Sequence, residues 1–114
     1  MDKINIAEKD FLGVPFSQVI EGVKKGVDVA HLAVYQSALS NEDSITIQVS
    51  LDKKEDWSNG IFQNSRYGAF LVDDRGVLEL AAQSYKLPVK LRKSRVKSTK
   101  DIVNKINKWV KDNS

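Results

Sequence analysis

An α+β fold is predicted for this chain: an antiparallel four-stranded sheet, with N-terminal helices and a C-terminal amphipathic helix packed on one of its faces, in the order helix, helix, four strands, helix. Three observations carry it. Residues 44–51 alternate strictly, with Ile45, Ile47, Val49 and Leu51 on one side and Ser44, Thr46, Gln48 and Ser50 on the other, the pattern of a strand buried on one face. Residues 67–72 and 77–82 are two further β-rich runs joined by Asp73-Asp74-Arg75-Gly76, a hairpin turn in which aspartates accept local backbone hydrogen bonds. Near the end of the chain, Ile102, Val103, Ile106, Trp109 and Val110 fall on one face of a helix, behind Ser98 and Asp101 at capping-box spacing.

The remaining elements follow in order. Ile4, Ile6, Phe11 and Leu12 are scattered among charges, so residues 1–12 read either as a flexible arm or as a short edge strand. Pro15 suits the first turn of a helix, where its missing N–H costs no bond. Phe16, Val19, Ile20 and Val23 then recur at helical spacing, and Gly26 suits a left-handed C′ position. Asp28 is placed to cap a second helix over residues 29–39. The β-branched Val27, Val29 and Val34 speak for a strand there, whereas the alanines, Leu32 and Gln36 favour the helix. Residues 88–93 read as the fourth strand, with Val89 and Leu91 facing one way and Lys90 and Arg92 the other; Pro88 fits the start of an edge strand.

At 114 residues the chain is long enough for one ordinary core, so a single domain spanning residues 1–114 is expected. With 41% apolar and 29% charged residues it has the composition of a globular domain, not of a disordered polymer. The absence of cysteine excludes disulfides, thiol nucleophiles and thiolate metal sites, and with His31 as the one histidine no two-histidine metal geometry fits within a chain. No cofactor or metal is therefore expected. Neither a signal-like apolar run nor a stretch approaching the roughly 20 apolar residues of a membrane span occurs, so the expectation is a cytoplasmic protein with no membrane partner.

Charge is distributed unevenly. Between Lys86 and Lys100 seven cations occur without an acid: Lys86, Lys90, Arg92, Lys93, Arg95, Lys97 and Lys100. Setting those seven aside leaves 11 basic against 15 acidic residues, so the net charge of +3 hides a balance of −4 in the rest of the chain. A concentrated cationic strip is what a phosphate backbone requires. Upstream, Trp57, Phe62, Arg66 and Tyr67 place aromatic rings and a planar guanidinium in and beside a polar loop, groups on which unpaired bases stack.

The expected function is accordingly a small non-enzymatic nucleic-acid-binding or regulatory domain. Lys90, Arg92, Lys93, Arg95 and Lys97 would hold phosphates, while Trp57, Phe62, Arg66 and Tyr67 would contact bases. Five engaged cations would give a salt slope of roughly −4.5 on duplex or about −3.5 on a single strand. The alternative is a protein-interaction adaptor or inhibitor that binds an acidic partner surface, or self-associates as a homodimer through an edge strand; an apolar patch beside Tyr85 and Leu87 would favour it. Enzymatic chemistry has little to stand on. No Gly-x-Ser-x-Gly elbow accompanies His31, and the Gly22 to Gly26 segment lacks the Gly-Lys-Ser/Thr ending of a P-loop.

Overall fold

Strand pairing dominates the middle of the chain. The computed structural model describes residues 10–29, 31–36, 44–52, 66–84 and 87–114. A two-stranded hairpin of β1 (Asp10–Phe11) and β2 (Val14–Pro15) leads into helix α1 (Phe16–Gly26). Strands β3 (His31–Gln36), β4 (Ser44–Ser50), β5 (Tyr67–Asp73), β6 (Val77–Gln83) and β7 (Ser94–Arg95) follow, and helix α2 (Thr99–Asp112) closes the chain. The last five strands form one antiparallel sheet in the order β3-β4-β5-β6-β7.

The α+β architecture and the strands centred on β4, β5 and β6 match the sequence expectation; among the described residues the main sheet has five strands, where four are expected, and there are two helices, where three are expected. Residues 29–39 were expected to be helical, and residues 31–36 are strand β3. Over six positions they pair with β4, setting Val34 opposite Ile47 and Leu32 opposite Val49. Helix propensities differ by a few tenths of a kcal/mol per residue, too little to outweigh a complete ladder and burial of Val34 against the β4 core face. Asp28 is not a helix cap. Its N–H donates to Asn107 Oδ1 at 2.9 Å, and Asn107 Nδ2 reaches the Gly26 carbonyl at 2.9 Å, so one side chain of α2 fastens the end of α1.

Residues 88–93 likewise form no strand. The Val89 N–H donates to Asn113 Oδ1 at 3.0 Å, and the Val89 carbonyl accepts from Trp109 Nε1 at 3.1 Å and Asn113 Nδ2 at 3.2 Å. With its backbone groups taken up by α2, this residue does not ladder with β6. Strand pairing resumes only where Ser94 and Arg95 meet Leu78 and Val77.

Pro15 sits at the N-cap of α1, one position before its first turn. Gly26 does not adopt the expected left-handed conformation, and the helix ends on extended Val27. The residue is small for another reason: a Cβ there would lie 2.8 Å from Val103 Cγ1, and one at Gly22 would lie 2.7 Å from Thr99 Cγ2, so both glycines let α1 and α2 approach closely. The α2 start follows the sequence reading. Ser98 Oγ accepts from the Asp101 N–H at 3.2 Å, and Asp101 Oδ2 accepts from the Lys97 N–H at 2.8 Å.

Both helices cover the same face of the sheet. Phe16, Val19 and Val23 of α1 and Ile102, Ile106 and Trp109 of α2 are buried with Ile45, Ile47, Val49, Phe70, Val72 and Leu78. Of the N-terminal stretch, residues 1–9 lie outside the described residues, while Phe11 is fully buried. It reaches that position through a two-residue turn, Leu12-Gly13, with φ of 51° and 90°. Hairpins favour this geometry, but a leucine in it is strained by roughly 1 kcal/mol, and Leu12 is also exposed. Leu12→Asn is therefore expected to stabilise the fold by about 0.5–1 kcal/mol, read as a higher urea midpoint at unchanged slope. A lower midpoint would mean that the contact of Leu12 with Gly76 outweighs the strain.

Candidate functional site

Docking of residues 89–94 against the C-terminal half of α2 leaves a surface groove of about 320 Å³. Its walls follow from the alternation of the extended segment and the pitch of the helix. Val89 and Leu91 are half-buried and, with Trp109, make an apolar floor; Lys90 and Arg92, both exposed, rise on one bank. Lys105 and Lys108 rise on the other. Asp112 also lines the groove and holds Lys108 at 3.0 Å, an i,i+4 pair on an exposed helix surface that leaves the groove strongly positive.

The indole of Trp109 keeps the groove in shape and takes no part in stacking. It is 1% exposed, its Nε1 donates to the Val89 carbonyl at 3.1 Å, and its ring meets Phe70 edge-on with centroids 5.1 Å apart. Beneath it lies Gly68, where a Cβ would stand 2.6 Å from Trp109 Cη2. The floor is thus tied to the sheet by close packing and to the basic segment by a hydrogen bond.

Of the five cations expected to hold phosphates, Lys90 and Arg92 line the groove. Lys93 is 4.0 Å from Glu79, and Arg95 pairs with Val77, whose side chain lies on the sheet face away from the helices. Lys97 is exposed in the connection to α2. Lys105 and Lys108 also line the groove, although neither belongs to the basic run between Lys86 and Lys100. The available signal was their helical spacing: positions 105, 108 and 112 form a stripe beside Trp109.

The expected base-contacting residues divide differently. Trp57 and Phe62 lie outside the described residues. Arg66 is held in a fork by Asp52, with Nε and Nη2 at 3.1 and 3.0 Å from Oδ1, and its own N–H donates to Asp52 Oδ2. This arrangement closes the ends of β4 and β5, helped by the Leu51 N–H donating to the Arg66 carbonyl at 2.9 Å. Tyr67 is half-buried at the start of β5, where its N–H donates to Ser84 Oγ at 3.3 Å.

Burial alone would raise the Asp52 carboxyl. The Arg66 N–H, followed by the guanidinium hydrogen bonds and charge, outweighs that penalty and holds the group below the usual carboxylate range. A folded value below the unfolded one means that the stabilisation is complete above about pH 4 and is lost as pH falls through the folded value. Asp52→Ala is expected to cost about 1–2 kcal/mol at neutral pH, reduced from the buried case because Arg66 is partly exposed. In urea titrations the gap between wild type and variant should narrow with acidification below about pH 4; a gap independent of pH would assign the loss to packing.

Among the described residues no cluster of metal-ligating side chains occurs and no helix is long and apolar enough to cross a membrane. Asp73 is engaged in its own turn, Oδ1 accepting from the Arg75 and Val77 N–H groups at 2.9 Å each. No protein-family model, curated protein or solved structure matches the chain.

Proposed function

We propose that the chain is a non-enzymatic nucleic-acid-binding domain that holds a single strand in the groove between residues 89–94 and α2. The observation that supports it is the convergence of Lys90, Arg92, Lys105 and Lys108, from two separate parts of the chain, on the banks of one apolar-floored groove. Lysine ammonium and arginine guanidinium groups displace the counterions condensed on a phosphate backbone. The apolar floor favours an unpaired strand, because only unstacked bases or sugars turn apolar surface toward Val89 and Leu91.

The site differs from the one expected from the charge run alone. Four cations, not five, line it, and two of them come from the helix. On a single strand each neutralised phosphate contributes about −0.7 to the slope of log K against log salt, so four give about −2.8. Fluorescence anisotropy of a labelled single-stranded oligonucleotide between about 50 and 200 mM salt reads this slope directly. Absence of binding at the low end, or a slope near zero, would reject the proposal. Of the apolar patch that would favour the adaptor reading, Tyr85 lies outside the described residues and Leu87 is buried.

A further inference from the structure

The two edges of the five-stranded sheet are chemically unlike. At one end β7 is two residues long and carries Arg95, with Lys93 and Lys97 on either side, a short cationic edge that repels a second strand. At the other end β3 has six residues, His31-Leu-Ala-Val-Tyr-Gln36, with no Asp, Glu, Lys, Arg or proline. Its register with β4 runs without a bulge, and among the described residues no strand pairs with its outer side. In an antiparallel strand the N–H and C=O groups of alternate residues point to each side, so about half of those of β3 face outward. Long, flat, uncharged edges of this kind are templates for strand addition.

We infer that two copies of the chain pair antiparallel through β3, making one continuous ten-stranded sheet. Residues directly opposite in such a pair must lie on the same face of both sheets, which restricts the register to positions of equal parity. A two-fold axis at Val34 satisfies this. It sets Val34 against Val34 of the second copy on the core face, and Tyr35, 45% exposed, against Ala33 of the second copy on the open face, where a ring beside a small residue fits. No like charges meet anywhere along that register.

Charge selects a second copy through this edge over head-to-tail growth. Pairing β3 with β7 would set a six-residue strand against two residues flanked by cations and would propagate into an open filament. Pairing β3 with β3 closes on itself and sends the cationic edges to opposite ends. Nine strand spacings separate them, roughly 43 Å, which is several Debye lengths at physiological salt, so their repulsion is screened. Each groove then stands at an outer end of the dimer, independent of its mate.

Sedimentation equilibrium over the micromolar range tests this on the full chain. Wild type should reach twice the 12.8 kDa chain mass. Tyr35→Lys should raise the dimer dissociation constant about tenfold or more while leaving the circular dichroism spectrum unchanged. Adding Ala33→Glu to Tyr35→Lys should restore the dimer, because the two new charges then oppose each other across the axis. A wild-type monomer throughout this range overturns the inference; so does a dimer indifferent to Tyr35→Lys. The salt slope of oligonucleotide binding should be the same for Tyr35→Lys and wild type, so failure of the dimer and failure of the groove reading are separately visible.

Discussion

Trp109→Ala is expected to remove about 3–5 kcal/mol of stability, a large share of the roughly 5–15 kcal/mol that holds a domain of this kind together. The indole is 1% exposed, meets Phe70 edge-on and lies in van der Waals contact over Gly68, so truncation opens a cavity that neither α2 nor β5 can close by a small shift. It also deletes the Nε1 donor to the Val89 carbonyl, one of three bonds that hold the basic segment to the helix. Trp109→Phe separates these effects: a ring remains and the donor is lost, so the cost should be smaller, about 1–2 kcal/mol. Gly68→Ala approaches the same contact from below. Its Cβ would sit 2.6 Å from Trp109 Cη2 and force the indole to move, for about 1–3 kcal/mol. Urea denaturation followed by far-ultraviolet circular dichroism measures all three. A Gly68→Ala midpoint equal to wild type would show that the indole has room to shift away from β5.

The second large effect concerns the groove. Arg92→Glu combined with Lys105→Glu removes one cation from each bank and replaces each with a repulsive carboxylate. Oligonucleotide affinity should fall by about 100-fold or more at low salt, and the slope should drop from about −2.8 to about −1.4 as two of four phosphate contacts are lost. Arg95→Glu combined with Lys97→Glu makes the same change in net charge, at two cations of the basic run that do not line the groove. It should reduce affinity only modestly, through the long-range field, and leave the slope nearly unchanged. Equal losses in the two double variants would show that the charge run binds as a diffuse cationic surface, and the groove would then have no special part in recognition.

The contrast between those variants mirrors what could be read from residue order. Strand β4 was legible because its alternation is strict and one face is wholly apolar. Helix α2 was legible because its stripe and its Ser98 cap agree. Strand β3 was not, since Ala33, Leu32 and Gln36 carry local preferences for helix that a six-position ladder with β4 overrides. Residues 88–93 show the reverse error: their alternation is real, and Val89 and Leu91 are the less exposed members, yet the backbone of Val89 bonds to Asn113 and Trp109. Nothing in the local sequence marks an asparagine 24 residues away as the partner.

The same division runs through the candidate site. Lys90 and Arg92 could be nominated from the basic run, whereas Arg66, an apparent stacking group, is taken by Asp52 from 14 positions upstream.

Composition and periodicity by themselves determined the α+β class, the alternating core face of β4, the buried stripe of α2 and the gathering of cations into one stretch of chain. These are local properties, set by which residues recur at spacings of two or of three to four. Only the tertiary structure decided which cations share a surface, because that depends on how residues 87–93 cross from the sheet to α2. That path is set by long-range hydrogen bonds from Trp109 and Asn113 and by the space Gly68 leaves for an indole, contacts between residues far apart in the chain.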